Sequence, residues 1–285
     1  MLRVCTEQEY ENYVNFVYEI AIDQSKSGYP TYSDGIKTKE MFVERSKKAF
    51  SRDNEEILLF EYNGIVEGWI HYYYLSEDNY LSTVSFNINS HTKEALQEFV
   101  EFAKMQFKGY ELFLGYSKNN KKAVDFLSSN GFECIEEDFN NTAFLDKYKP
   151  AKQNDDIVCI DKENYQYFRE IHSVIEGDMY WNSDRIYSDI DNWIIYVMIN
   201  KGETLGSVYF TVADDGWFDI FGIDMKDNIF DEEVFTELLK QALNTAKELN
   251  GKYMTFFCEE EGEEIVKTLG FECVGEYVCY KAILN

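Results

Sequence analysis

The residue types that most often perform chemistry are few in this chain and lie far apart. There are three histidines, His71, His91 and His172, and six cysteines, no two of which are spaced as CxxC. A structural zinc site needs such ligands at short, regular spacing, and a Ser/His/Asp or Cys/His nucleophile needs a recognisable His environment. The sequence therefore predicts no metal site. It predicts that the cysteines are free thiols packed as small hydrophobic side chains.

One short segment concentrates positive charge. Residues Lys118–Lys122 read Lys-Asn-Asn-Lys-Lys and stand directly before an amphipathic, helix-like stretch. Backbone N–H groups and the helix dipole at a helix start favour an anion, and lysines add to that preference. The segment is a candidate anion site, although a solvated helix start would have the same composition.

Charge and composition limit the classes of function. The chain has 285 residues and a net charge of -26, with 45% hydrophobic and 17% aromatic residues. Such negative charge opposes binding to a nucleic-acid backbone and attracts cationic amines. The sequence has no apolar run of about 18 residues and no apolar signal core at its start. We expect a cytoplasmic protein with neither a nucleic-acid nor a membrane partner, and its oligomeric state stays open.

The sequence repeats itself once. Gly131–Cys134 reads Gly-Phe-Glu-Cys and recurs as Gly270–Cys273, 139 residues later. The amphipathic stretch before each copy has its apolar residues in the same phase, and glycine turns at Gly64 and Gly202 mark matching hairpins. A duplication that gave two similar domains explains this pattern. Two cysteine pairs fall at matched positions, Cys134 with Cys273 and Cys5 with Cys159, which indicates a packing role for them.

Each half is predicted to be a mixed α/β domain. The repeat sets the domains at residues 1–148 and 155–285, and the polar segment 146–156 has the composition of a linker. Apolar periodicity predicts a strand, two helices and a three-stranded meander in the first half. A helix, a strand and another helix follow, and the half ends in strands 131–137 and 142–148. This order predicts a mixed, mostly antiparallel sheet flanked by helices.

The order of elements resembles the GCN5-related N-acetyltransferase (GNAT) fold. The motif that supports the resemblance is Asn120–Phe132, NKKAVDFLSSNGF, which is similar to the family signature N-x-x-A-x-x-F-Y-x-x-x-G-F. The second half keeps a weaker version that ends in Thr268–Phe271. Because the resemblance covers both halves, it implies two tandem GNAT-like domains.

The resemblance implies an acetyl-CoA site where two central strands splay apart, with the pyrophosphate at the start of the third helix. In the first half, the cofactor-binding positions are Phe86, Asn87, Ile88, Ser90, His91, Thr92, Lys93, Asn120 and Lys121. The family's glycine loop is degenerate. Glu94 and Leu96 hold its glycine positions in the first half, and Glu233 and Phe235 hold them in the second. A carboxylate there repels a pyrophosphate, and a side chain blocks close approach to the backbone.

Local charge favours the first half as the acetyl-CoA site. The counterpart of Lys118–Lys122 in the second half is the acidic run Glu259–Glu264. CoA carries a pyrophosphate and a 3′-phosphate, so an acidic entrance opposes its binding.

The resemblance also implies direct attack of an acceptor amine on the thioester, with a Tyr that protonates the leaving thiolate. Leu127 holds that Tyr position, and Val266 holds it in the repeat, which leaves Tyr116 as one catalytic candidate among 22 tyrosines. Two functions stay open. One is an N-acetyltransferase that uses acetyl-CoA as cosubstrate and moves its acetyl group to a primary amine of a small molecule or peptide. The acidic charge of the chain favours a cationic acceptor. The other is an inactive tandem GNAT protein that serves as a binding or interaction module.

Aromatic residues between the first two helices of each half border the acceptor side of this fold. They are Gly28–Tyr32, which reads GYPTY, and Met179–Trp181, which reads MYW. An acidic pocket lined by aromatic rings would suit a cationic amine, and packing of loops onto the sheet is the alternative. The acidic pair Asp214 and Asp215 is predicted to lie in a loop as solvated charges.

Overall fold

The computed structural model describes residues 1–177, 179–213 and 216–285, so Asp214 and Asp215 lie outside the described residues. The chain divides into two compact units. Unit 1 comprises Met1–Glu137 and Gly275–Asn285, and unit 2 comprises Asp138–Val274. In the described ranges, no helix combines the length and apolar character that crossing a membrane requires.

The strands and helices follow the predicted order, except that a single strand ends each half where two were predicted. The strands are β1 (Leu2–Val4), β2 (Glu55–Tyr62), β3 (Ile65–Leu75), β4 (Tyr80–Ile88), β5 (Glu111–Ser117), β6 (Glu133–Phe144), β7 (Ile157–Cys159), β8 (Trp193–Asn200), β9 (Glu203–Ala213), β10 (Trp217–Met225), β11 (Tyr253–Cys258) and β12 (Phe271–Ile283). The helices are α1 (Glu7–Ala21), α2 (Lys39–Lys47), α3 (Thr92–Gln106), α4 (Lys121–Ser129), α5 (Gln166–Ile175), α6 (Ser183–Ser188), α7 (Glu232–Glu248) and α8 (Glu263–Thr268).

Unit 1 is a sheet of strand order β1-β2-β3-β4-β5-β12 between two layers of helices. Its strands pair antiparallel except β4 and β5, which are parallel. Successive side chains of a strand point to opposite faces. In β2, Leu58 and Phe60 therefore pack with residues of α3 and α4, while Ile57 and Leu59 pack with residues of α1 and α2.

Unit 2 repeats this plan with the strand order β6-β11-β10-β9-β8-β7. Its strands are antiparallel except β10 and β11. Phe210 of β9 packs with residues of α7 and α8 on one face, and Tyr209 packs with residues of α5 and α6 on the other. The predicted mixed, mostly antiparallel sheet flanked by helices is confirmed in both units.

Most of the last strand of each sequence half belongs to the unit of the other half. Strand β12 pairs with β5, from Tyr277 opposite Ser117 to Ile283 opposite Glu111. Strand β6 pairs with β11 and runs unbroken where strands 131–137 and 142–148 were predicted. The compact units therefore do not follow the boundaries 1–148 and 155–285. A repeat in sequence records duplication, whereas the partner of a strand is decided by pairing over long sequence separations.

The two predicted hairpin turns are present. Asn63 and Gly64 have φ of 50° and 79°, and Lys201 and Gly202 have φ of 52° and 81°. Two consecutive residues at positive φ give the type I′ turn, whose twist matches that of the flanking strands. Glycine at the second position adopts this conformation without the steric cost of a Cβ atom.

The six cysteines are free thiols. Cys5, Cys258 and Cys279 are buried, but Cys134, Cys159 and Cys273 are exposed. The predicted packing role is wrong for Cys134, Cys273 and Cys159, which occupy strand positions that face solvent, and it is confirmed for Cys5, which lies in the core of unit 1. The described residues contain no group of three or more His, Cys, Asp or Glu that could hold a metal ion.

Candidate functional site

The two central strands of unit 1 splay apart as predicted. Strands β4 and β5 pair only from Tyr80 opposite Glu111 to Ser82 opposite Phe113. Directly after this point β4 has a bulge, in which Val84 is the extra residue between the partners of His71 and Tyr72. A bulge bends a strand away from its neighbour and commonly lies beside a functional site.

The opening in unit 1 is filled by the protein itself. The backbone N–H of Gly28 donates to Phe86 O (2.6 Å), and that of Tyr29 donates to Gly115 O (2.8 Å). The N–H of Ile88 donates in turn to Lys26 O (3.3 Å). Residues Lys26–Tyr29, which we call the bridging segment, thus bond to both separated strands. Backbone groups of β4 that a ligand between the strands would use are already paired.

Side chains at the start of α4 hold the bridging segment in place. Asn120 accepts the Ala123 N–H at its Oδ1 (3.2 Å), and its Nδ2 donates to Ser27 O (3.2 Å). Asn119 Nδ2 donates to Gln24 Oε1 (2.9 Å) just before the segment. At Gly28 a Cβ atom would lie 2.9 Å from Phe86 Cβ, so only glycine fits at this position.

The cofactor positions predicted in unit 1 cluster around this segment. Phe86, Asn87, Ile88 and Asn120 are fully buried and contact it through the bonds above or, for Asn87, a bridge to Ser27. Of the remaining positions, Thr92 is buried, Ser90 and His91 are half-buried, and Lys93 and Lys121 are exposed. The structure brings β4, α3 and α4 together as predicted, but these elements surround the bridging segment of the protein itself. The sequence showed Gly28 only as part of an aromatic loop.

The start of α3 carries no capping side chain. His91 occupies the N-cap position at φ 63° without a side-chain hydrogen bond to the helix. Its ring instead stacks on Tyr62 at 3.7 Å between centroids. The first N–H groups of α3 are therefore not used by a side-chain cap, which keeps this helix start suitable for an anion.

Tyr116 lies in the core of unit 1. It is fully buried against Phe86, with ring centroids 5.8 Å apart. Its hydroxyl has no hydrogen-bond partner among the described residues, and burial raises its pKa well above the ordinary value. A phenol sealed in this way has no path for proton exchange with a solvated ligand.

Unit 2 has the matching opening, and its described residues include no bridging segment. Strands β10 and β11 pair from Trp217 opposite Tyr253 to Ile220 opposite Phe256, and Phe221 is then the extra residue of a bulge. The connection between α5 and α6 has seven residues, against seventeen between α1 and α2. Beyond Ile220, β10 stays paired with β9, but no backbone hydrogen bond between described residues of unit 2 joins it to β11 or to the connection between α5 and α6. The shorter connection explains the difference between the units.

A buried histidine and aspartate lie beside this opening. His172 of α5 places Nδ1 2.8 Å from Asp224 Oδ2 and Nε2 2.9 Å from Trp181 O. A carbonyl only accepts, so Nε2 carries a hydrogen, and the contact with Asp224 then requires a second shared proton. Burial lowers the pKa of His172, but the hydrogen bond and the charge of Asp224 outweigh it and raise that pKa. These residues are 52 positions apart, and no sequence signal connects them.

The stability of the protein is expected to fall as pH rises through the raised pKa of His172. A raised folded-state pKa gives stabilisation that is complete below the unfolded value of about 6.5 and is lost above it. The slope should reach about 1.4 kcal/mol per pH unit at most. Urea unfolding at several pH values measures it. The double variant His172→Leu/Asp224→Leu should lose this slope, and His91→Gln should keep it; an unchanged slope in the double variant contradicts the assignment.

Comparison with known proteins finds similarity in structure alone. No protein-family model matches the sequence, and no curated protein does. The GCN5-related N-acetyltransferase from Sphaerobacter thermophilus matches with a TM-score of 0.67 and 10% identity, over 100% of this chain and 96% of its own. A tandem GNAT protein from the clavulanic acid biosynthesis pathway matches with a TM-score of 0.54 and 10% identity, over 100% and 99%.

A third match is to part of a larger protein. It is a fungal multi-domain GH3 β-N-acetylglucosaminidase that contains a GCN5-related glucosamine N-acetyltransferase region, with a TM-score of 0.61 and 10% identity, over 99% of this chain and 38% of that one. The fold of the chain is therefore that of tandem GNAT proteins, as its sequence predicted.

Proposed function

We propose that the protein is an N-acetyltransferase that transfers an acetyl group from acetyl-CoA to a cationic primary amine of a small molecule or peptide, with unit 2 as the catalytic unit. One observation carries this proposal. The bridging segment fills the opening of unit 1, whereas β10 and β11 separate beyond Ile220 and Phe256 without such a segment among the described residues of unit 2. The proposal places the reaction in the half that local charge had disfavoured.

The residues of unit 2 would act by holding and orienting the reactants. Acetyl-CoA supplies the acetyl thioester when bound, and the backbone of β10 from Phe221 to Met225 offers it hydrogen-bond donors beside the opening. Backbone N–H groups fixed in a sheet stabilise developing negative charge without reorganising. Unit 2, Asp138–Val274, carries 29 acidic and 12 basic side chains, a balance that draws a protonated amine toward this unit. Positioning an amine against a thioester supplies much of the rate of such a reaction.

The alternative function, an inactive binding or interaction module, is favoured by the start of α7. The Asp231 carboxylate accepts hydrogen bonds from the N–H groups of Glu233 and Val234, both at 3.0 Å. These helix N-terminal amides are the groups that a pyrophosphate would use. A phosphate of acetyl-CoA at this position must displace the Asp231 carboxylate and approach Glu232 and Glu233. Both requirements raise the dissociation constant of acetyl-CoA.

Calorimetry with acetyl-CoA and charge variants at the two helix starts tests the proposal. The double variant Glu232→Gln/Glu233→Gln should bind acetyl-CoA roughly two- to fivefold more tightly per charge removed, because an anion near a helix start is favoured by about 0.3–1 kcal/mol. The matched control Glu94→Gln changes an exposed carboxylate at the start of α3 and should leave affinity unchanged.

Each outcome of this test decides between the functions. Tightening by Glu94→Gln alone would assign the donor to unit 1 and overturn the choice of unit 2. If no variant binds acetyl-CoA at millimolar concentration and no thiol is released with polyamines, aminoglycosides, arylalkylamines or peptides, the protein is an interaction module.

A further inference from the structure

A run of aromatic rings on the α5 face of unit 2 ends at the strand opening. Trp181 lies 5.2 Å from Trp193 with the ring planes at 70°, and Trp193 lies 4.8 Å from Phe221 at 68°. We call these three residues the aromatic patch. Phe221 is the bulge residue at which β10 leaves β11, so the patch reaches the point where a bound acyl group and its acceptor would meet.

One feature of the aromatic patch is costly in the protein alone. The Phe221 side chain is 47% exposed although it lies on a central strand. Trp193, whose ring contacts both Trp181 and Phe221, is only 7% exposed. Exposed aromatic surface of this kind is unfavourable and occurs where a ligand completes the contacts.

The charges around the patch select the kind of ligand. Arg185 already covers the ring of the neighbouring Tyr180, at 4.1 Å from its centroid, so that ring face is occupied. The open aromatic surface is that of Phe221, and Trp181, which contacts the other side of the patch at Trp193, is half-buried. The acidic balance of this part of the chain favours a cation over an anion at such a surface. A ligand that satisfies both conditions has an apolar ring to cover Phe221 and carries a positive charge.

We propose that the aromatic patch binds the ring of the acceptor, so that the substrate class is a primary arylalkylamine. That the bound amine is a substrate rests on the proposed acetyl transfer. Its binding to the aromatic patch needs no acetyl-CoA. A polyamine offers no ring to stack on Phe221, and an aminoglycoside presents hydroxyl groups to an apolar surface. A ring stacked or edge-on against the Phe221 and Trp181 rings gains both apolar contact and aromatic geometry.

Binding of 2-phenylethylamine to the full chain without acetyl-CoA tests this assignment. Titration followed by tryptophan fluorescence and by calorimetry should saturate, and spermidine and kanamycin should bind more weakly. Phe221→Ala should weaken 2-phenylethylamine binding by about three- to tenfold, the size of one aromatic contact. Val212→Ala is the matched control, since Val212 is 50% exposed on β9, where it alternates with Tyr209 to the opposite face of the sheet.

The outcomes separate this inference from the proposed function. Tighter binding of spermidine or kanamycin, or equal affinity of the Phe221→Ala and Val212→Ala variants, overturns the assignment. A Phe221-dependent 2-phenylethylamine site without thiol release from acetyl-CoA supports the patch and removes the acetyl transfer. Turnover of spermidine or kanamycin without 2-phenylethylamine binding retains the acetyl transfer and removes the patch.

Discussion

A chain that ends at Val274 is expected to lose the folded structure of unit 1 and to keep that of unit 2. The missing residues 275–285 contain the part of β12 that pairs with β5. They also include Val278, Tyr280 and Leu284, which are 1%, 5% and 0% exposed in the core of unit 1. Each such side chain contributes about 1.5–3 kcal/mol, so the loss approaches the whole stability of a small domain, about 5–15 kcal/mol.

Hydrogen–deuterium exchange measures this effect unit by unit. Amides of β2 to β5 should lose their protection, while those of Asp138–Val274 keep it. Removal of Asn285 alone is the control and should change neither unit. Addition of a peptide with the sequence of residues 275–285 should restore protection of β5. Full protection of unit 1 in the truncated chain would show that β12 is dispensable, contrary to its place in the core.

The second large effect is expected from Glu55→Gln, which should destabilise unit 1 by about 1.5–3 kcal/mol, the usual contribution of hydrogen bonds to a charged group. The Glu55 side chain is 3% exposed and bonds Arg45 through Oε2 (2.6 Å) and Oε1 (3.1 Å). Arg52 and His71 bond the same carboxylate, His71 at 3.0 Å. A neutral amide leaves the cations of this cluster without their counter-charge.

Urea unfolding tests this prediction together with its pH dependence. Burial would raise the pKa of Glu55, but hydrogen bonds from His71, Arg45 and Arg52 hold it well below its usual range. A depressed pKa gives stabilisation that is present above about pH 4.3 and is lost as pH falls further, and the variant should lack this loss. Glu11→Gln removes an exposed ion pair with Lys47 and should cost under about 1 kcal/mol. Equal costs for the two variants would contradict the role of Glu55.

Local features of the fold could be predicted because they depend on neighbours in sequence. The turn at Asn63–Gly64 follows from its residue types, and the start of α3 follows from apolar periodicity. The exchange of β6 and β12 could not be predicted. Both strands begin within the same Gly-Phe-Glu-Cys motif, so the repeat gives them matching places and does not show which half supplies the pairing partner.

The candidate site was predictable in outline only. The signature at Asn120–Phe132 located the helix that borders the opening of unit 1, but not the bridging segment. That segment depends on the fit of Gly28 against Phe86, 58 residues away. The pairing of His172 with Asp224 is likewise fixed by the packing of a helix on a sheet. Contacts of this kind arise from the folded shape and leave no pattern along the chain.

The exchanged strand β12 reverses the order in which the two units can be completed during synthesis on the ribosome. Unit 2 is a continuous stretch that ends at Val274, whereas unit 1 begins at Met1 but needs residues 275–285. Unit 1 therefore closes after unit 2, and β5 keeps an unpaired edge until residues 275–285 have been synthesised. An open strand edge invites pairing with other chains. Nascent chains stalled before Gly275 should therefore depend on chaperones more than completed ones.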